Sequence, residues 1–443
     1  MGWAADEFKS IDLGDKRLDK RAVLLAERLA EKPTASIPGA CNGWAETQAA
    51  YRFLAQEELE WSDILRPHWE CTEQRMRAHP VVLCLQDTTE LDFNGQSIEG
   101  MGPLSYEAQR GMYLHPTYAV SPVREPLGVL DAWMWMWARA PKDDSGVRPG
   151  AKESERWIEG YARVAELAEQ MPNTQLVYVA DRESDMMELM VQARELDNAA
   201  DWLLRSRHNR ALPEGGKLWV QVLKSEPLGE IRFTLPRKKG HKARAVRQQI
   251  RARRVELADD NGGRVEVTCI VATEVGALAG VKPIEWRLLT NRKTEDLEAA
   301  AELIDWYRAR WEIEMLFLVL KEGCRVEALQ LSTMERVERA LALFLVVAWR
   351  VARLMRLGRT LPDLEAELLF EADEWQAAYI LAEKPVPKTP PTLNEVIRTV
   401  AGRGGFLGRK GDGEPGVKTI WLGLQRVMDF AAGMRHAREA HAL

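Results

Sequence analysis

Four residues near the middle of the chain have the types and the spacing of a phosphate-handling site. On a single helix, Tyr307, Arg310, Glu314 and Lys321 would lie within an arc of about 60°, since each residue turns the helix by about 100°. A carboxylate between two cations suits a site in which it binds a divalent metal ion while the cations hold phosphate oxygens. Ordinary ion pairs on a solvated helix face would give the same spacing, so the strip alone does not decide between the two interpretations.

Apolar side chains occupy the adjoining arc of the same predicted helix. They are Trp306, Ile313, Leu316, Phe317 and Leu320. An apolar arc of this kind faces the core, so the helix would hold its charged strip at the border of the core.

Two more acids follow short apolar runs that are typical of buried strands. Residues 81–87 end in Asp87, and residues 175–181 end in Asp181. Acids at the carboxyl ends of central strands lie where an open α/β sheet binds its ligands, although either acid alone is more often a helix cap or a turn former. Together with Glu314 they favour a site in which three carboxylates bind magnesium or manganese ions through hard oxygen atoms.

The order of elements predicts an α/β protein with a ribonuclease-H-like core. A helical region runs to about residue 77, and its cations Lys16, Arg17, Lys20 and Arg21 fall close together on a helix opening. The elements that follow are strands near 81–86, 113–121 and 127–138, a helix near 152–170, a strand to 180, a helix to about 196 and a strand at 202–206. This order places Asp87 on the first strand and Asp181 on the fourth, which are neighbours in such a sheet.

The remaining sequence predicts an insertion and a helical C-terminal region. Residues 210–285 show short strands with turn signals, so we expect a mainly β insertion before the helix that bears Glu314. A long apolar helix is expected at 337–357. We therefore divide the chain into a helical region at 1–77, a core at 78–361 that contains the insertion, and a helical region at 362–443.

Tryptophans alternate with methionines in the third predicted strand. Trp133, Trp135 and Trp137 would share one face of that strand, because side chains alternate with a period of two. Core packing explains this stripe better than a base-stacking platform does.

Three sequence blocks resemble the signatures of the DDE transposases of the insertion-sequence-four family. They are Asp-Thr-Thr at 87–89, Ala-Asp-Arg-Glu-Ser-Asp at 180–185, and the strip from Tyr307 to Lys321. Segments at 13–21, 50–54, 203–207 and 286–290 also resemble the family, so the likeness covers roughly residues 3–350. The chain departs from the pattern at Leu318, where a close relative has a lysine, and DNA contacts at that position are not carried over.

The resemblance implies cut-and-paste transposition. It implies that the chain binds the inverted-repeat ends of a transposon as a homodimer, cleaves them by metal-dependent hydrolysis through a hairpin intermediate, and joins the 3′ hydroxyl ends to target DNA. Two magnesium or manganese ions would serve each active site, with Asp87, Asp181 and Glu314 as the catalytic ligands. The alternatives are a catalytically silent DNA-binding or inhibitory derivative and a ribonuclease-H-like nuclease that does not join strands.

The resemblance also implies which residues contact DNA. Residues 1–77 would bind the transposon ends, and residues 362–443 would form the dimer. The individual candidates are Tyr307, Arg310, Lys321, Trp286, Trp311, Arg205, Arg207, Arg17 and Arg21. For Trp286 and Trp311 the alternative is core packing.

The distribution of charge says more than the net charge of -6. Residues 237–254 contain nine Lys or Arg and no acid, which indicates either a nucleic-acid-binding segment or a solvated loop. Residues 363–383 are acidic and also carry the apolar residues Leu364, Leu368, Tyr379 and Leu381. These apolar residues predict the dimer interface, because an apolar strip beside charged groups is typical of helices that pair.

The cysteines indicate neither a zinc site nor a disulfide framework. The five cysteines form no CxxC pair and are odd in number, which fits a reducing cytosol. The sequence shows no signal peptide and no apolar run long enough to span a membrane. We therefore expect a soluble protein of the bacterial cytoplasm that associates with the nucleoid.

Overall fold

The computed structural model describes residues 2–106, 108–136, 153–235, 244–259, 261–277 and 280–441. Trp137 of the tryptophan stripe and residues 237–243 of the basic segment lie outside these ranges. Contacts divide the chain into two compact units. The first unit comprises Met1–Met76, Thr88–Gly150 and Glu312–Leu443, and the second comprises Arg77–Asp87 and Ala151–Trp311.

The helices are distributed along the whole chain. In chain order they are α1 (Trp3–Glu7), α2 (Lys16–Glu31), α3 (Ile37–Ala40), α4 (Trp44–Leu54), α5 (Trp61–Met76), α6 (Glu153–Gln170), α7 (Met187–Glu195), α8 (Leu218–Lys224), α9 (Leu297–Ala309), α10 (Trp311–Leu318), α11 (Met334–Thr360), α12 (Ala372–Leu381), α13 (Leu393–Arg403) and α14 (Val417–His441). A π-helical turn at Val319–Gly323 follows α10, and short 3-10 turns occur at Arg182–Ser184, Val326–Ala328 and Ala366–Leu368.

The strands lie in the central part of the chain. They are β1 (Val81–Gln86), β2 (Thr89–Asp92), β3 (Gly102–Pro103), β4 (Arg110–Val120), β5 (Pro126–Trp135), β6 (Gln175–Ala180), β7 (Asp201–Arg205), β8 (Gly229–Leu235), β9 (Arg244–Ala258), β10 (Arg264–Glu274) and β11 (Glu285–Thr290).

The second unit is built on a mixed sheet in the order β1-β6-β7-β11-β10-β9-β8. β1, β6 and β7 run parallel, and β11 continues the sheet antiparallel to β7. Nearly all residues of β1 and β6 are buried, because central parallel strands are covered on both faces. Helix α6 packs on these two strands, and the Tyr161 hydroxyl on α6 donates to the Ala200 carbonyl oxygen at 2.9 Å.

The β insertion extends the same sheet. β9 pairs with β8 and β10, and β10 pairs with β11, each in antiparallel orientation. The short helix α8 packs against β9 and β10. Three strands, β8, β9 and β10, and the helix α8 therefore lie in the range 210–285, where the sequence predicts a mainly β insertion.

The first unit combines antiparallel strands with a helical assembly. β4 pairs with β2, β3 and β5. The long helix α11 packs against α2, α4, α5 and β5, and its residues 340–348 are all buried. This helix confirms the apolar helix expected at 337–357. Among the described residues, no helix is both long and apolar enough to cross a membrane.

Two predicted features differ from the structure. The strip does not lie on one helix, because α9 ends at Ala309, α10 begins at Trp311 and Lys321 lies in the π-helical turn. Arg310 keeps right-handed helical dihedrals at the junction, so uniform steps of 100° fail only at Lys321, whose π-helical turn departs from the predicted arc. All five apolar neighbours are buried as expected. Tyr379 is buried within the first unit and so offers no free apolar surface, whereas Leu368 is 64% exposed.

Candidate active site and DNA-binding residues

Asp87 and Asp181 follow two neighbouring parallel strands at equivalent positions. The register pairs Gln86 of β1 with Ala180 of β6, and each acid is the next residue. The Asp181 carboxylate accepts a hydrogen bond from the Glu183 N–H at 2.7 Å and thereby caps the turn at Arg182–Ser184. Because both strands are buried and register-locked, they hold the two acids together at the carboxyl edge of the sheet.

A buried hydrogen bond joins β1 and β6 next to these strand ends. The Tyr178 hydroxyl donates to Gln86 Oε1 at 2.5 Å, and Gln86 is itself fully buried. Burial, with the charges of Asp181 and Asp87 adding to it, raises the pKa of Tyr178 well above its ordinary value, so the phenol stays protonated and donates. A side chain at Gly160 would collide with the Gln86 amide at 1.9 Å, so α6 can approach β1 only with glycine there.

Arg310 contacts the first acid directly. Its Nη1 donates to Asp87 Oδ2, and both side chains are largely buried. Arg310 is the residue that follows α9 and precedes α10. The sequence-predicted arginine and acid are thus brought together, and Arg310 places a positive charge against Asp87.

Tyr307 lies one turn earlier on α9 and is 6% exposed. Burial raises its pKa, while the positive charges of Arg310 and Arg205 oppose that rise and Asp181 adds to it. These influences show that Tyr307, Arg310, Arg205 and Asp181 share one electrostatic environment. A protonated phenol among two guanidinium groups provides hydrogen-bond donors for an anion.

Glu314 and Lys321 belong to the first unit. Glu314 lies half-buried on the first turn of α10, and Lys321 lies in the π-helical turn. Lys321 Nζ is 3.5 Å from Glu327 Oε1. Leu318, where a close relative of the family carries a lysine, is a partly exposed apolar residue.

The two candidate tryptophans have different surroundings. Trp286 on β11 is half-buried and stacks on Phe233 of β8, with ring centroids 5.7 Å apart. Trp311 is 57% exposed, and Arg310 lies 5.8 Å from its ring centroid. Core packing therefore does not explain Trp311, whereas Trp286 combines an existing stacking partner with partial exposure.

Asp185 has a structural role that the sequence did not reveal. Its buried carboxylate accepts the N–H groups of Arg207 and His208 at 2.5 and 2.9 Å and pairs with Arg210. It therefore fixes the backbone that carries the exposed Arg207, next to the exposed Arg205 at the end of β7. The family block placed Asp185 near the site, but no pattern in the sequence distinguished it from Glu183.

The amino-terminal cations lie at the start of a helix, as expected. Asp15 caps α2 by accepting the Arg17 N–H at 2.8 Å, and its carboxylate also pairs with the Arg17 guanidinium at 2.7 Å. The Arg17 side chain is 91% exposed, and Arg21 is half-buried. Trp44, at the start of α4, is 76% exposed, a signal that only the structure provides because sequence does not show which tryptophans lie outside the core.

In the part that the structure describes, the basic segment forms β9, and most of its arginines pair with acids while remaining partly exposed. Arg244 pairs with Glu274, Arg253 with Glu214 and Arg254 with Glu266. Arg251 donates to the Ser225 carbonyl oxygen at 3.1 Å. Partners of this kind neutralise most of the charge that the sequence concentrates at 244–254.

The donor chemistry of the site fits a hard divalent cation. Asp87 and Asp181 offer carboxylate oxygens at one sheet edge, as magnesium and manganese prefer. Within the described residues, no group of three or more His, Cys, Asp or Glu side chains is arranged to hold a metal ion. Asp87 pairs with Arg310 through Oδ2, and its carboxylate has a second oxygen of the kind that hard cations prefer.

A mixed α/β sheet with acids at adjacent strand ends, accompanied by N- and C-terminal helical regions, is the architecture of a ribonuclease-H-like DDE enzyme. Comparison with known families agrees. The transposase DNA-binding model matches residues 1–59, the transposase DDE domain model matches residues 150–349, and the transposase Tn5 dimerisation domain model matches residues 346–442. The chain belongs to the DDE transposases of the Tn5 type.

A solved structure to which the chain is similar is the cryo-EM structure of the piggyBac transposase synaptic complex with hairpin DNA. The two chains are 8% identical with a TM-score of 0.39, over 99% of this chain and 80% of that chain.

Proposed function

We propose that this transposase moves its element by a cut-and-paste reaction. It binds the inverted-repeat ends, cleaves them through a hairpin intermediate and joins the 3′ hydroxyl ends to target DNA. The observation that carries the proposal is the strand-end site, where Asp87 and Asp181 lie at equivalent positions of adjacent strands and Arg310 and Tyr307 provide anion donors beside them.

The three acids are proposed as the metal ligands. Asp87, Asp181 and Glu314 would hold two magnesium or manganese ions, which supply charge neutralisation at the phosphodiester and an activated oxygen nucleophile. Three further side chains would bind the phosphate. Arg310 and Tyr307 would donate hydrogen bonds to phosphate oxygens, and Lys321 would provide a further positive charge.

The DNA-contacting residues fall into two groups. Arg205, Arg207, Trp286 and Trp311 join Tyr307, Arg310 and Lys321 in holding the cleaved end, where an extruded base needs an aromatic partner. Arg17 and Arg21 contact the end at a distance from the cut, and Trp44 is added because a largely exposed tryptophan lies within the region that matches the DNA-binding family.

Each of the three regions of the chain has its own proposed role. Residues 1–77 would bind DNA, 78–361 would carry the catalytic core and 362–443 would form the homodimer on paired ends. We propose that the reaction takes place in the bacterial cytoplasm at the nucleoid. The five cysteines, all buried and free of disulfides, are compatible with that reducing compartment.

A strand-joining assay tests the proposal. Protein is incubated with magnesium, DNA that bears the inverted repeats flanking its own element, and a supercoiled target plasmid. The expected products are a nick, a hairpin and a joined target, in that order. Cleavage without joining would favour a nuclease, and end binding without cleavage would favour an inhibitory derivative.

Dimerisation is tested separately by removing residues 362–443. The shortened chain should bind a single end but form no paired-end complex on a native gel, because the region that matches the dimerisation family is then largely missing. A Leu368→Asp variant is the milder companion, since Leu368 is exposed and its substitution should leave folding intact. Efficient paired-end cleavage by the shortened chain would place the dimer interface elsewhere.

A further inference from the structure

Lys321 lies in one backbone conformation that is uncommon in proteins, and a second one follows shortly after it in the chain. It is part of the π-helical turn Val319–Gly323, in which the Cys324 N–H donates to the Val319 carbonyl oxygen at 2.7 Å. Turns of this type are rare and concentrate at functional sites. Directly after Cys324, Arg325 has a φ of 52°, a left-handed conformation that only glycine adopts without strain.

The reversal at Arg325 brings Glu327 back to Lys321. Glu327 Oε1 lies 3.5 Å from Lys321 Nζ and also accepts the Asp92 N–H at 3.0 Å. The Glu327 carbonyl oxygen accepts the Gln96 side-chain amide at 2.7 Å. The side chain of Glu327 is therefore held by the end of β2 and its backbone by Gln96, so Glu327 has a fixed position independent of Lys321.

The other side of the π-helical turn is fixed by packing. Val319 and Leu320 are fully buried, and a side chain at Gly323 would come within 3.1 Å of the Trp421 ring on α14. The turn is thus held between the core on one side and Glu327 on the other. Lys321 is the residue of this turn that the ion pair restrains.

Stability does not account for this arrangement. Lys321 and Glu327 are each about one-third exposed, and ion pairs at that exposure stabilise a fold only weakly. A rare helical turn and a strained residue at Arg325 are not explained by so weak a pair. Strain of this kind persists where it fixes a functional group in one orientation.

We propose that Glu327 is the positioning residue of Lys321, which it holds oriented for a phosphate of the transposon end. The inference rests on the proposed function, in which Lys321 contacts that phosphate. A lysine restrained before DNA arrives loses less rotamer freedom on binding than a free one, and misplacement of such a group is costly to a reaction.

The test compares Glu327→Gln with Glu322→Gln. Glutamine at 327 can still accept the Asp92 N–H, so the change removes the negative charge of Glu327 and leaves the fold and the nearby charge of Glu90 in place. Glu322 is the matched control, because it is an exposed acid of the same turn for which the described residues show no ion pair. Glu327→Gln should slow single-turnover end cleavage about tenfold, with the Kd for a single end changed less than about twofold. Glu322→Gln should change neither quantity.

Two further readouts separate positioning from a general structural effect. In a Lys321→Ala background, Glu327→Gln should cause no additional loss of rate, because the group it positions is already gone. In protein carrying ¹³C-dimethylated lysines, the Lys321 signal, assigned by its absence in Lys321→Ala, should move in Glu327→Gln and stay unchanged in Glu322→Gln. Additive losses, an unmoved signal or equal effects of the two Glu→Gln changes would overturn the proposal.

Failure of the proposed function and failure of the Glu327 inference give different results. If the unmodified chain cleaves no ends at all, the proposed function fails, and the Lys321 signal still shows whether Glu327 restrains the lysine. If cleavage is normal and Lys321→Ala is as fast as the unmodified chain, positioning by Glu327 has no catalytic meaning and the inference is overturned alone.

Discussion

The strand-end site and the opening of α2 use the same charged residue types in opposite ways. At the strand ends, Arg310 is 9% exposed and pairs with Asp87, which follows a buried strand. At the opening of α2, Arg17 is almost fully exposed and pairs only locally with the Asp15 that caps its own helix. Under the proposed function, burial pre-orients the first arginine for one reaction geometry, whereas exposure would let the second exchange its partner for a DNA phosphate.

The basic segment shows why charge counts alone mislead. Residues 237–254 are the most basic stretch of the sequence, yet Arg244 and Arg254 pair with acids across strands of the β insertion. Arg17 and Arg21 stand out less in the sequence but lie at a helix opening with side chains that reach solvent. Location in the fold, rather than density of charge, therefore distinguishes the arginines of β9 from those that we propose for DNA binding.

The largest expected effect follows from removing a strand-end acid. Asp87→Ala, Asp181→Ala or Glu314→Ala should lower end cleavage by about a thousandfold or more, because each removes a proposed metal ligand. Binding of a single end should change by less than about threefold, since phosphate contacts supply most of the affinity. Gel-shift and cleavage assays on the same preparations measure both quantities.

Glu183→Ala is the matched control for that experiment. Glu183 is an exposed acid two residues from Asp181, whereas Asp185 is unsuitable because its buried carboxylate holds the 207–210 loop. Normal cleavage by any of the three ligand variants would remove that residue from the site. A large loss in Glu183→Ala would show that local charge, rather than ligation, governs the reaction.

The second prediction separates two steps within the site. Trp286→Ala should leave the first nick nearly unchanged and slow hairpin formation by about tenfold or more, because only the later step unstacks a base. Trp286→Phe, which keeps an aromatic ring against Phe233, should recover most of the rate. Equal losses of nicking and hairpin formation in Trp286→Ala would assign the residue to packing alone.

The sequence predicted the adjacency of the two strand-end acids better than the contacts that surround them. Strand ends, acids and the order of elements are local patterns, so the adjacency of Asp87 and Asp181 could be inferred from alternating elements and sheet topology. The junction between α9 and α10 could not be inferred from the sequence. The spacing of apolar and polar residues is the same for one long helix as for two helices followed by a π-helical turn. The pairings of Asp185 and Glu327 were also hidden, since they join residues that are 22 and 235 positions apart in the sequence.

A cluster of buried charged residues near the amino terminus differs from both arginine sites compared above, because it stabilises the fold. Glu7 on α1 pairs with His68 at 2.5 Å and with Arg75 at 2.9 Å, and the Val129 N–H donates to the other ring nitrogen of His68. Burial alone would raise the pKa of Glu7, but His68 and Arg75 lower it to about 2. Burial lowers the pKa of His68.

Both shifts make the fold less stable in acid. The contribution of Glu7 is complete above its ordinary pKa of 4.5 and is lost as the pH falls towards about 2. His68 acts in the same direction from its ordinary pKa of 6.5 downwards, because the unfolded chain then binds a proton that the buried ring resists. Glu7→Gln should lower the free energy of unfolding by about 3 kcal/mol at neutral pH and flatten its decline between pH 4.5 and 2.

Thermal or denaturant unfolding across this pH range measures the effect of Glu7→Gln. Glu70→Gln, an exposed acid on α5, is the control and should leave the curve unchanged. An unaltered acid decline in Glu7→Gln would show that other carboxylates control acid unfolding.

The smallest expected effect belongs to the exposed cation of α2. Arg17→Ala should weaken binding of a single end only a few-fold at low salt and reduce the slope of log K against log salt by about 1, the signature of one lost phosphate contact. Arg409→Ala is a close match, because Arg409 is also a highly exposed arginine paired with a nearby aspartate, Asp412, but lies outside the DNA-binding match. Cleavage of end DNA at saturating protein should be unchanged in either variant, since neither arginine lies at the strand ends. An unaltered salt slope in Arg17→Ala, or an equal loss in Arg409→Ala, would mean that exposure at a helix opening does not identify the arginines that meet DNA.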